Sequence, residues 1–215
     1  IREADYPFGR GKYQIKEGVG KKKALNKKQL KAIANYSDGN KFTEFYRDLW
    51  LFIYFCNGIN VADLINLKFS DIQNGEISFI REKTKDRTRD TKRIYAPITP
   101  EMQSIIEKWG NNPRKSIYIF PFMKAGDDAW EHEKKKKNLT KHINDRMKVI
   151  GEKLNIGKIT TYVARHTYAT VLRNEGVPVS IISPMLGHTS ITTTEIYLAD
   201  LESENRARNA SLLSF

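Results

Sequence analysis

Cysteine is nearly missing from this 215-residue chain. The single one, Cys56, excludes an internal disulfide and argues for a reducing compartment. Histidine is scarce as well. His132, His142, His166 and His188 are scattered, and with one cysteine they make no zinc spacing such as CxxC or HxxxH. No apolar run approaches the roughly 18 residues that signal a membrane-spanning helix. The most apolar stretch, "LWLFIYFC" (49–56), follows a charged segment and reads as a buried helix. No signal-peptide pattern opens the chain. It begins at Ile1 and not at methionine, which suits a fragment of something longer. "GVGKKK" (18–23) is not a phosphate loop: the first glycine of GxxxxGK[ST] is missing, and Lys22 stands where Ser or Thr belongs. Asp127 and Asp128 read as a loop, not as a paired acid and base. There is no internal repeat or low-complexity segment. Neither a cofactor nor a metal is expected.

Positive charge is abundant. Lys and Arg number 37 against 25 acids, a formal net charge of +12. Such a surplus suggests a polyanionic partner, most often nucleic acid. Its distribution agrees. "REKTKDRTRDTKR" (81–93) holds seven cations and three acids, "KKKK" (134–137) is a second cluster, and Arg10 to Lys28 adds more. Several separated basic segments suit a protein that wraps a phosphate backbone better than a single tail would.

Residues 1–24 are rich in Gly and Lys with little periodicity, and read as a linker or arm. Order begins at "LNKKQLKAI", where Asn26 can cap and Gln29 takes the capping-box position. Phe42, Phe45, Leu49, Phe52, Ile53 and Cys56 form an apolar stripe, predicting a helix over about 42–56. "NGIN" breaks it and "VADLINLKF" restarts one, with "NVAD" reading as a capping box that ends at Asp63. "EISFI" (76–80) and "RIYAPI" (93–98) read as strands joined by a charged hairpin tip. "TPEM" (99–102) starts a helix with Thr99 as cap and Pro100 in the first turn. Residues 112–116 and 122–136 read as loop, and an amphipathic helix is expected over 138–154. Thr160 opens a further helix that stops at Glu175–Gly176. Two short helices follow, over 178–186 and after Ser190. The fold class is mainly α with a small antiparallel β-sheet.

Cutting a phosphodiester without a metal needs a nucleophile, a general acid for the departing oxygen, and preorganised donors for the charge that grows at phosphorus. "TTYVARHTYAT" (160–170), "LGH" (186–188) and Tyr197, nine residues after His188, place such groups in order along the chain. With "NGINVADLINLKFSDI" (57–72) and "REKTKDRTRDTKRIYAPI" (81–98), these segments resemble the tyrosine recombinases, also called the phage integrase family. The likeness runs from about Leu25 to Leu201, and four separated motifs appear in the family's order.

The resemblance implies roles. Tyr197 would attack the scissile phosphate and form a 3′-phosphotyrosyl bond. Lys83 would protonate the 5′ oxygen, with Lys85 as its competitor in the hairpin. Arg165 would bind the nonbridging oxygens through its planar fork, and His188 would hydrogen-bond the same phosphate. His166 is open to two readings, bracing the core or orienting a neighbour. Lys85, Arg87, Arg89 and Arg93 would lie on DNA. Two positions depart from the pattern. Asn60 stands where the family's first arginine falls, and Tyr162 where a His or Lys is usual. Asn60 also reads as a plain helix start, and Tyr162 either packs or donates its hydroxyl. Arg47, just upstream of the apolar stripe, is the expected substitute for the missing arginine, ahead of Arg89 and Arg93.

The expected domain plan is an arm over 1–24 and the catalytic domain over 25–215, with the family's core-binding domain preceding Ile1. The partner is double-stranded DNA, held by a homotetramer on paired sites, with accessory DNA-bending proteins in some systems. The setting would be bacterial cytoplasm, at the nucleoid, and the task integration or excision of a mobile element. Two other activities suit the same residues: a type IB-like topoisomerase, and a DNA-binding protein that has lost catalysis.

Overall fold

The computed structural model describes residues 23–83, 92–188 and 190–199; within the last of these, the side chains of Ile196, Tyr197 and Ala199 fall outside the description. Eight α-helices, one 3-10 turn (Phe69–Asp71) and three strands are present among these residues. The order is α1 (Lys27–Ala34), α2 (Lys41–Phe55), α3 (Val61–Leu64), β1 (Ile72–Gln73), β2 (Glu76–Ile80), β3 (Arg93–Pro97), α4 (Pro100–Trp109), α5 (Ala129–Lys153), α6 (Thr161–Asn174), α7 (Val179–Met185) and α8 (Ile191–Ala199).

Local chemistry sets most helix starts. Asn26 accepts from Gln29 N while the Gln29 side chain accepts from Asn26 N, closing the expected capping box of α1. Thr99 caps α4 with Pro100 in its first turn, and Thr160 caps α6. Helix α2 is the hub. Leu49, Trp50, Phe52 and Ile53 are fully buried, and the helix packs on α1, α4, α5 and α6. Trp50 Nε1 donates to Thr160 O at 2.8 Å, which ties the hub to the start of α6.

The strands form one antiparallel sheet, ordered β1-β2-β3. Ile77 pairs with Ala96 and Phe79 with Ile94, and all four side chains are buried, so one face of the hairpin joins the core. A second, smaller cluster of Tyr168, Ala169, Ile182, Leu186 and Leu198 joins α6, α7 and α8.

Two sequence expectations need correction. The amphipathic helix starts at Ala129, not near residue 138, because Asp128 forms a capping box with Glu131 that the apolar spacing cannot reveal. The "KKKK" run therefore lies on α5 and not in a loop. Helix α3 is only four residues long, and Asn60 makes no side-chain cap at its start. The expected box at "NVAD" does not form because Asp63 Oδ1 instead accepts from Glu82 N at 2.7 Å.

Candidate active site

The loop after α2 prepares the site. Asn57 and Gly58 both take left-handed backbone, with φ of 52° and 63°. The Asn57 amide donates to Tyr95 O and its Oδ1 accepts from the Tyr168 hydroxyl, both at 2.8 Å, so the loop is pinned to β3 and α6. Gly58 is required twice over. Its φ favours glycine, and a Cβ there would sit 2.8 Å from Arg165 Cα and Cγ.

That close approach lets Arg165 reach across. Its side chain is buried, 5% exposed, and donates from Nη1 to Gly58 O at 2.8 Å and from Nη2 to Leu186 O. Nη2 also lies 3.2 Å from His188 Nε2. Arginine can only donate, so Nε2 acts as acceptor. The neutral imidazole then carries its proton on Nδ1, which donates to Thr194 Oγ1 at 2.8 Å. Thr194 is fully buried on α8 and shares the inner side of that helix with Leu198, one turn on. Three segments thus converge on one guanidinium: the loop after α2, the turn after α7, and, through His188, helix α8.

Burial holds the His188 pKa down to about 4, helped by the positive charges of Arg165 and then Arg81. Arg81 was not singled out from the sequence. It follows β2 directly and donates from Nη1 to Gly187 O at 2.8 Å. Gly187 has φ 64°, and a Cβ there would come within 2.4 Å of Arg81 Cδ and 2.5 Å of Ile94 Cδ1. Asp63 lies among these groups. Burial raises its pKa, while the Glu82 N–H, Arg81, the Asn60 side chain and Arg165 all favour its charged form. The signal available in the sequence was the alternation of β2: it continues past Ile80, so Arg81 falls on the side of Ile77 and Phe79.

The remaining predicted residues divide. Lys83 is exposed just beyond β2. Lys85, Arg87 and Arg89 lie outside the described residues. Arg93 is exposed on β3 and donates to Ser78 O and Oγ at 3.2 and 3.1 Å. Tyr162 is 54% exposed, and its ring meets the buried His166 ring edge-on at 4.4 Å. Asn60 opens on a cavity of about 460 Å³ lined also by Lys136, Lys137, Lys141 and Thr161. Tyr197 belongs to α8, three residues after Thr194, but its hydroxyl is outside the description.

Arg47 is not brought to this group. Its guanidinium donates to Asp48 Oδ1 from Nε at 2.9 Å and from Nη2 at 2.5 Å, and from Nη1 to Tyr36 O. It sits eight residues before the end of α2, roughly 12 Å along the axis at 1.5 Å per residue. The apolar stripe that suggested a neighbour of the site runs the length of α2, while Arg165 is met by Gly58 in the loop after that helix. Asp127 and Asp128 are structural: Asp127 pairs with Lys135, and Asp128 caps α5. No group of three or more His, Cys, Asp or Glu among the described residues is arranged to hold a metal ion. No helix among them is long and apolar enough to cross a membrane.

Comparison with known proteins points one way. The chain is 28% identical over 177 residues to tyrosine recombinase XerA of Pyrococcus furiosus, an alignment that covers 81% of the chain and 56% of the relative. It is 26% identical over 172 residues to tyrosine recombinase XerC of Chlamydia caviae, covering 79% and 52%. The chain thus spans about half the length of the curated relatives it matches. Among solved structures, the fold resembles XerH site-specific recombinase bound to palindromic difH substrate, with a TM-score of 0.62 at 16% identity, covering 90% of the chain and 54% of that one. It also resembles a lambda integrase dimer bound to a COC′ core site, with a TM-score of 0.58 at 16% identity, covering 84% and 60%. The profile of the phage integrase family matches residues 23–204, a span that contains every described residue, and the chain belongs to that family.

Proposed function

We propose that this domain cleaves and rejoins double-stranded DNA at specific sites through a 3′-phosphotyrosyl intermediate, and that it serves the integration or excision of a mobile genetic element. The observation that carries the reading is the buried Arg165 guanidinium, fixed by two backbone carbonyls and set 3.2 Å from His188 Nε2. A planar fork held in this way matches the nonbridging oxygens of a phosphate.

In this reading Tyr197 Oη bonds to phosphorus while the bond from phosphorus to the 5′ oxygen breaks. The phenolic proton leaves to a base, and Lys83 gives a proton to the departing 5′ oxygen, which is released as a hydroxyl. Rejoining runs the same steps backwards, so the bond energy stays in the phosphotyrosine and no nucleotide cofactor is consumed. His188 is neutral at pH 7, held so first by burial and then by the charges of Arg165 and Arg81, and a bound phosphate offsets those charges. It can then take up a proton and donate from Nε2 to the phosphate. Lys85, Arg87, Arg89 and Arg93, with the lysines of α5 beside Asn60, follow the DNA backbone. Paired sites held by a homotetramer, with DNA bent by accessory proteins, complete the proposal.

The test uses a randomised pool of nicked duplexes, in which cleavage releases a short strand and traps the covalent complex. The full chain should give a denaturant-resistant protein–DNA adduct, and Tyr197→Phe should give none. Salt-sensitive binding without an adduct favours a domain that only binds DNA. Relaxation of supercoiled plasmid lacking any selected site favours the topoisomerase reading.

A further inference from the structure

A phosphoryl-transfer transition state carries more negative charge than its ground state, and preorganised cations meet that charge best. Around His188 the structure holds a second guanidinium besides Arg165. Arg81 leaves β2, packs its Cδ over Gly187, and donates to Gly187 O at 2.8 Å. The residue it grips lies between Leu186, whose carbonyl accepts from Arg165, and His188, whose Nε2 faces Arg165. Both guanidiniums therefore hold the same three-residue turn, one reaching it from α6 and one from the sheet.

Asn60 is close by and neutral. Its side chain and Arg81 both act on the same buried carboxylate, Asp63. Two guanidiniums around one carboxylate leave a positive surplus even with Asp63 ionised. The lysines of α5 line the cavity at Asn60 rather than the turn at Gly187, which places them on the approach to the site.

The geometry points to Arg81 as the second cation of the phosphate pocket, supplying from the sheet the charge that the loop after α2 does not supply at Asn60. The inference rests on the cleavage reading above. It assigns Arg81 two linked tasks: it holds the Leu186–His188 turn in register, and its charge stabilises the growing negative charge on the nonbridging oxygens. The hairpin that carries Lys83 is then tied to the phosphate site by Arg81, only two residues earlier in the chain.

The experiment measures the rate of covalent adduct formation by the full chain on one nicked duplex selected from the randomised pool, with DNA binding and thermal unfolding measured alongside. Arg81→Gln should slow the adduct by about 100- to 1000-fold while binding stays within a few-fold. Arg81→Lys should retain more activity than Arg81→Gln. Adding Asn60→Arg to Arg81→Gln should recover at least tenfold, because the new cation enters beside Asp63. A structural role alone gives no such recovery: loss of rate in Arg81→Gln that neither the lysine variant nor Asn60→Arg relieves overturns the inference. So does an Arg81→Gln rate within about threefold of the unsubstituted chain. Should Arg81→Gln fail to fold, Arg81→Lys decides, and a loss beyond about 100-fold in a folded, DNA-binding protein contradicts a role in charge. No adduct from the unsubstituted chain overturns the cleavage reading, and this inference with it.

Discussion

Two arginines in this fold are almost equally buried, and they do different things. Arg47 is 8% exposed and Arg165 5%. Arg47 sits against a carboxylate, with Asp48 Oδ1 2.5 Å from Nη2 and Glu44 at 3.8 Å. Asp48 in turn accepts from Trp109 Nε1 at 2.8 Å and pairs with Lys108 at 3.2 Å. The charges at that end of α2 are matched among themselves, and the network fastens α2 to α4. Arg165 is held through the carbonyls of Gly58 and Leu186 and lies against a neutral imidazole. Carbonyl dipoles orient the guanidinium, and Asp63, a carboxylate that also feels its charge, is shared with Arg81. The difference teaches that burial of a cation is not by itself a sign of function. What matters is whether its neighbours neutralise it or aim it.

Substituting each arginine by alanine sharpens that contrast. Arg165→Ala should reduce adduct formation by at least 100- to 1000-fold, about 2.7–4 kcal/mol of transition-state stabilisation. Arg47→Ala should leave the adduct rate of the folded protein unchanged. It should instead lower unfolding stability by about 1–3 kcal/mol, because Asp48 loses its nearest partner while Lys108 and Trp109 remain on it. Denaturant melts and adduct kinetics on the same preparations check both. Equal catalytic losses from the two substitutions would erase the distinction.

Gly58→Ala probes the loop that aims Arg165. Its Cβ would meet Arg165 backbone at 2.8 Å in a left-handed conformation, so the loop or α6 must shift. The expected stability loss is about 1–3 kcal/mol, with a fall in adduct rate beyond what the unfolded fraction explains. Gly39→Ala is the control. Its φ is 73° but open space surrounds it, so strain appears without a catalytic effect.

The smallest effect concerns pH. The His188 pKa in the fold is about 4, against about 6.5 in an unfolded chain. Between those values the unfolded chain binds a proton that the folded one refuses. Stability from this group is therefore complete above about pH 6.5 and declines as pH falls toward 4. His188→Asn should flatten that part of the stability profile. NMR titration of His188 should show its pKa rising once a phosphate-bearing duplex is bound.

Much of the fold was legible because caps and periodicity are local. Asn26, Thr99 and Thr160 cap as their sequence neighbours suggest, and the alternation in "EISFI" sets the buried face of β2. The start of α5 was missed because its first ten residues carry few apolar side chains, and only the Asp128–Glu131 box marks it. The association of Arg165 with the Leu-Gly-His turn follows the family pattern. The separation of Arg47 from it, and the arrival of Arg81, depend on the pairing of Arg47 with Asp48 and Tyr36 and on where β2 ends. Those are tertiary facts, and a single chain read in order does not carry them.

The most direct test is to digest the trapped adduct and sequence the nucleotide-bearing peptide by mass spectrometry. The account predicts a nucleotide joined through its 3′-phosphate to Tyr197, with a free 5′ hydroxyl on the released strand. A nucleotide on any other residue, or a link through a 5′-phosphate, would contradict it.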